Sequence, residues 1–209
     1  MSSEIIVLTH GLWMPSWILG LLRQRLGGLG LPCFCFSYST VQRDLTSNSQ
    51  ALAKYLASFS ASKIHLVGHS LGGVVILKML QEQKYSVPGR VVLLGTPIAG
   101  NSAARQLSTR PLFNKILGLC VQQLLNEAPL PMPPRHEIGI IAGRKSLGFG
   151  RLFVTLAQPN DGVVTTEEAR SGMAQDFIVL NVSHSGMLFS SEVAQQTLCF
   201  LKYGHFNAT

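Results

Sequence analysis

The stretch Lys63-Ile64-His65-Leu66-Val67-Gly68-His69-Ser70-Leu71-Gly72-Gly73-Val74-Val75-Ile76-Leu77 decides the fold. Residues 64–67 form a short apolar run of strand character, and residues 74–80 continue without a helix breaker. Between them stands Gly-x-Ser-x-Gly, which in a strand-turn-helix setting reads as a nucleophile elbow. In that turn the serine sits at the tip of a strand in a strained backbone conformation, and the following helix aims its N-terminus at the same point. Gly68 and Gly72 fit this geometry, because side chains there collide with the neighbouring strand and helix as the chain reverses.

Outward from the elbow, strand-like and helix-like segments alternate. Residues 5–8, 32–38, 91–94, 137–142 and 176–182 read as strands; residues 16–26, 46–59 and 191–203 carry helical spacing. Residues 99–134 are helical in parts and end in a proline-rich crossover. Short apolar strands alternating with helices predict a mostly parallel sheet of about six strands with helices on both faces. With 209 residues and no repeat or low-complexity segment, one domain over 1–209 is expected.

Apolar residues make up 46% of the chain and charged residues 13%, which argues against disorder. The net charge of +7 is spread along the chain, with Arg23/Arg25 and Arg144/Lys145 as the close pairs. That pattern is an ordinary basic surface, compatible with peripheral contact to anionic membrane; no motif points to nucleic acid. The four cysteines lack metal-ligand or CxxC spacing and read as free thiols suited to a reducing compartment. No secretory signal pattern is present at the N-terminus, and no apolar run approaches the roughly 20 residues that span a bilayer. A soluble, cytoplasmic protein is the expectation.

A serine nucleophile needs an imidazole to take its proton and a carboxylate to orient that imidazole. His184 follows the last strand, in Asn181-Val182-Ser183-His184-Ser185-Gly186, at the carboxyl edge where ligands of such sheets collect. His65 lies inside the elbow strand, His136 precedes a strand and His205 lies in the tail. Asp161, in the turn-forming Pro159-Asn160-Asp161-Gly162, is the leading acid; a purely turn-forming aspartate is the alternative, and Asp176, at the start of a strand, is the fallback. Two backbone N–H groups are expected to receive an oxyanion: that of Leu71, after the serine, and that of Leu12, after the tight turn His10-Gly11. Trp13, Met14, Trp17 and His69 are candidates for the substrate cleft, the first three equally able to staple the first helix. The apolar stretch 111–125 is expected to be the core face of a helix, with a short lid over an acyl pocket as the alternative.

Taken together, His10-Gly11-Leu12, Gly68-His69-Ser70-Leu71-Gly72, Gly95-Thr96-Pro97, Asn160-Asp161-Gly162 and Ser183-His184 resemble the α/β-hydrolase superfamily, in particular its compact lipase-like esterases. The order Ser, Asp, His along the chain agrees with that superfamily. The resemblance implies Ser70 as nucleophile, His184 as base and Asp161 as its orienter, acting on a small ester or lipid without metal or organic cofactor. His-Gly-Leu-Trp replaces the His-Gly-Gly-Gly turn of some relatives, and nothing after the fourth strand is long enough for a large cap domain. Thioester cleavage and acyl transfer use the same machinery, and a catalytically silent relative that binds a partner through its basic surface is the reading from a different class.

Overall fold

The computed structural model describes residues 4–28, 30–82, 89–127, 133, 136–147 and 155–207; for 111–115 the backbone alone is described. Six strands, β1 (Glu4–Thr9), β2 (Cys33–Phe36), β3 (Lys63–His69), β4 (Val91–Leu94), β5 (Ile138–Gly143) and β6 (Asp176–Leu180), form one sheet in the order β2-β1-β3-β4-β5-β6. Every neighbouring pair is parallel. Among the described residues seven α-helices accompany it: α1 (Gly20–Gly27), α2 (Leu45–Ala57), α3 (Leu71–Glu82), α4 (Ser102–Ser108), α5 (Pro111–Asn126), α6 (Thr166–Ala169) and α7 (Ser191–Tyr203).

The strands are apolar on both faces because both faces are covered. Side chains alternate across a strand. Thus Ile5, Val7, Leu66, Leu93 and Ile140 pack under α2, α3 and α5, whereas Ile6, Leu8, Val67, Leu94 and Ile141 pack under α1 and α7. The first two turns of α3 are apolar on every side, and Val74, Val75, Ile76 and Leu77 are all buried, whereas Lys78, Gln81 and Glu82 share one less buried face near its end.

The predicted terminal helix 191–203 coincides with α7. Residues 16–26 divide into a 3-10 turn, Ser16–Leu19, and α1. The strand expected over 32–38 is confined to Cys33–Phe36. Stretch 111–125 lies within α5, which breaks at Gly118, where φ is 76°. A Cβ there would lie 2.4 Å from the Val41 Cα, so the break seats the helix against that loop. The helix after the elbow reads in the sequence as ending near 87–89, and residues 152–156 read as strand-like; residues 83–88 and 152–154, with most of the proline-rich crossover, lie outside the described residues. Thr155 and Leu156, from the same run, are not in a strand. All four cysteines are free, Cys120 and Cys199 buried and Cys33 and Cys35 half-buried. Burial pushes the Cys33 and Cys120 thiols up to about 12. Among the described residues no helix is long and apolar enough to cross a membrane.

Candidate active site

β1 connects outward to β2 on one side, and the chain then returns to β3 on the other, so the carboxyl ends of β1 and β3 flank the point where the sheet order reverses. Ligands of open α/β sheets bind at such a point. β1 and β3 are paired with Thr9 opposite Gly68, and Leu12 and Leu71 each lie three residues beyond that pair. Ser70 occupies the turn at φ 54°, in the left-handed region that a serine rarely adopts. Its N–H donates to the Leu94 carbonyl and its own carbonyl accepts from Gly73, which pins the turn between β4 and α3. The glycines make this approach feasible: a Cβ on Gly68 would fall 2.5 Å from the Gly73 Cα, and one on Gly72 would fall 2.6 Å from the Thr9 and His10 carbonyl oxygens.

The turn after β1 is set from beneath. The buried His10 imidazole donates from Nδ1 to the Gly11 carbonyl, stacks on Tyr38 at 4.4 Å and accepts the Tyr38 N–H, while the Tyr38 hydroxyl donates to the His10 carbonyl. Burial holds the His10 imidazole below its ordinary pKa, in keeping with a neutral ring. Beyond Gly11 the Trp13 N–H donates to Thr40 Oγ1 and the Met14 N–H to the Gly11 carbonyl.

At the other side of the site, Asp161 and His184 meet. A Cβ on Gly143, the last residue of β5, would fall 2.8 Å from the Asp161 Cβ, so the acid lies over the end of that strand. His184 stands at the head of a 3-10 turn, Ser185–Phe189, after β6. The two residues are joined twice: His184 N–H donates to the Asp161 carbonyl at 2.9 Å, and His184 Nδ1 lies 2.7 Å from Asp161 Oδ2. The other carboxylate oxygen accepts the N–H groups of Val163 and Val164 at 2.9 and 2.8 Å. Burial acts to raise the Asp161 carboxyl, but the facing imidazole and the two amides outweigh it and hold its pKa below the ordinary value. An ionised Asp161 fixes the proton on His184 Nδ1 and leaves Nε2 as the acceptor.

Ser70 and His184 line one cavity of about 370 Å³, together with Leu12, Leu71, Trp13 and Met14. Its remaining walls are mostly apolar and come largely from α4 and α5, Leu107, Leu117, Val121 and Leu124 among them. In stretch 111–125, Leu117 and Val121 belong to the core, as expected, and the same two side chains also line the cavity. Periodicity carries no signal that separates those two uses, nor does it identify Leu147, which adds to the cavity from the loop after β5. Trp17 is not brought to the cavity and is 75% exposed. His69 is not a lining residue either; it is buried behind the site, against His184. Asp176 sits at the opposite end of its strand, where its carboxylate accepts the N–H groups of Phe177 and Phe206. Among the described residues no group of three or more His, Cys, Asp and Glu side chains converges as a metal site requires.

The sequence pattern of the alpha/beta hydrolase family matches residues 6–178, from β1 into β6. The chain belongs to this family. The match takes in Ser70 and Asp161 and ends six residues before His184. Among solved structures, this α/β hydrolase is similar to the mature form of lipase BlEst2 from Bacillus licheniformis, with a TM-score of 0.69 and 19% identity over 97% of this chain and 92% of that one. It is also similar to a pyrethroid hydrolase from Sphingobium faniae JZ-2, with a TM-score of 0.61 and 14% identity over 97% and 98% of the two chains. Phospholipase PlaB from Legionella pneumophila matches with a TM-score of 0.62 and 18% identity over 80% of this chain and 44% of the longer PlaB chain. At these identities the likeness is one of fold. No curated protein matches the α/β hydrolase in sequence.

Proposed function

We propose that the protein is a serine hydrolase of carboxylic esters that works through an acyl-enzyme. The observation that carries this reading is the strained Ser70 turn opening into the same cavity as a buried, doubly hydrogen-bonded Asp161–His184 pair. The Ser70 hydroxyl oxygen attacks the ester carbonyl while His184 Nε2 takes its proton. Asp161 stabilises the imidazolium that forms, and His184 returns the proton to the departing alcohol. A water then repeats the cycle against the acyl-serine.

Negative charge on the former carbonyl oxygen is received by the N–H groups of Leu12 and Leu71. Leu71 is the first residue of α3, so its N–H has no carbonyl within the helix to bind. In the other turn the amides of Trp13 and Met14 are engaged, and Leu12 supplies its amide. The apolar wall built by α4 and α5 takes the acyl chain, which makes esters of apolar acids the favoured substrates.

A fluorophosphonate probe and a panel of nitrophenyl esters of increasing acyl length test the proposal. The wild type is expected to take one label, on Ser70, and to turn over the panel. Ser70→Ala is expected to fold, to take no label and to lose turnover by a factor on the order of 10³ or more. A folded wild type that is neither labelled nor active, or a Ser70→Ala variant as active as wild type, overturns it.

A further inference from the structure

We infer that the mouth of the cavity is a docking surface for an anionic lipid bilayer. Four large apolar side chains stand half in solvent there: Trp13 at 52% exposure, Ile116 at 44%, Leu119 at 50% and Leu147 at 51%. Trp13 and Leu147 themselves line the cavity. The other two are tied to Trp13 through the backbone. The Trp13 indole donates to the Ile116 carbonyl at 2.9 Å and the Trp13 N–H donates to Thr40; the next residue, Val41, accepts the Leu119 N–H. Isolated exposed apolar residues are ordinary, but a group of them joined around one opening marks an interaction surface.

The charge around that opening selects the partner. Arg144 and Lys145 are exposed on the segment that leads to Leu147, Arg43 lies two residues past Val41, and Arg110 caps the start of α5. Among the described residues none of these four is paired with a carboxylate. Eight of the ten carboxylates, all but Glu167 and Glu192, have partners elsewhere: Glu4 pairs with Lys63, Glu82 and Glu127 with Lys78, Glu137 with Arg90, Asp161 with His184. Asp44, Glu168 and Asp176 accept backbone N–H groups. A rim that mixes a tryptophan and branched aliphatics with unpaired cations suits a lipid interface, where the ring and the alkyl groups enter the headgroup and upper acyl region and the cations meet anionic headgroups. A nucleic acid accounts for the cations only. This surface is independent of the chemistry proposed for Ser70.

Flotation with vesicles of phosphatidylcholine alone, and of phosphatidylcholine with about a third phosphatidylglycerol, tests the inference. Wild type and Ser70→Ala are both expected to bind the anionic vesicles at least about tenfold better than the neutral ones, with the difference shrinking in high salt. Leu119→Glu and, separately, Arg144→Glu with Lys145→Glu are each expected to lower anionic-vesicle binding about tenfold or more, with thermal melting and turnover of a soluble nitrophenyl ester within twofold of wild type. Equal binding to both vesicle types, or binding that survives Leu119→Glu, overturns the inference. So does a concentration-dependent dimer that Leu119→Glu abolishes, which makes a second copy the occupant, or capture of an RNA oligonucleotide with no binding to vesicles.

Discussion

His69 Nε2 lies 3.0 Å from the main-chain carbonyl oxygen of His184, with the two imidazole rings 4.8 Å apart. A carbonyl only accepts, so Nε2 carries the hydrogen and the unpartnered, buried Nδ1 is a lone pair. Burial first, and the neighbouring His184 second, push the His69 pKa down to about 3, so the ring is neutral at neutral pH. His69 is thus a positioning residue that holds the backbone on which His184 is mounted.

The first prediction follows from that bond. Losing it leaves a buried carbonyl unsatisfied, a cost of about 1–3 kcal/mol. His69→Phe is expected to lower kcat about tenfold with KM nearly unchanged, and His69→Gln, which retains a side-chain N–H donor, to recover part of the loss. Steady-state kinetics check this; a Gln variant no better than Phe removes the positioning role.

Ser70 and His184 act as one unit in the proposed reaction, so their losses should not add. His184→Ala is expected to be about as damaging as Ser70→Ala, and the double variant scarcely worse than either. Turnover of a short nitrophenyl ester by the three proteins measures this directly.

Asp161→Asn replaces the oxygen that faces His184 Nδ1 or turns an N–H toward it, and in either case the imidazolium loses its counter-charge. Turnover is expected to fall by a factor on the order of 10⁴. Asp176→Asn is expected to leave kinetics alone and to lower the melting temperature modestly, since Asp176 accepts the Phe177 and Phe206 amides at the far end of its strand. Kinetics paired with melting curves separate the two. An active Asp161→Asn returns that residue to turn formation.

Acid should destabilise the protein through its neutral histidines. The folded-state pKa values of His69, His10 and His65 are all lowered, chiefly by burial. Below the ordinary histidine value of about 6.5 the unfolded chain therefore binds more protons than the folded one, and stability falls as pH falls. For His69 the window runs from the ordinary value down to about 3. Asp161, also lowered, adds its loss further down, as pH passes below the ordinary carboxyl range. Melting temperatures recorded from about pH 7 downward should show this decline, with a shallower slope in His69→Phe. An unchanged slope in that variant contradicts a neutral His69.

Local patterns were legible in the sequence because local chemistry causes them. The elbow is a contiguous strand, turn and helix, and His10-Gly11 lies at the end of a contiguous strand, so their residues could be named in advance. Asp161 is marked only by its turn and its place before His184 in the chain, with no motif of its own. It returns to the end of β5, and no period in residues 144–160 announces that return. The same limit applies to Leu147 and to the two uses of Leu117 and Val121, where core and cavity demand the same apolar side chain. His69 was legible as part of the elbow motif but not as the support of His184, a contact made across 115 positions of chain. Trp17 lies outside the cavity lining for a related reason: proximity in sequence to the turn after β1 does not fix which way a 3-10 turn carries a side chain.

The pairing of Thr9 with Gly68 bears on how the enzyme should fail when heated. Ser70, Leu12 and Leu71 are held by neighbouring strands in the interior of the sheet, whereas His184 follows the edge strand β6 and Asp161 rides on a loop. Edges and loops open at lower free energy than a central ladder. Amide exchange should therefore be slow at Leu8 and Val67 and faster around residues 161–184, and proton transfer should be lost on warming before the serine turn comes apart.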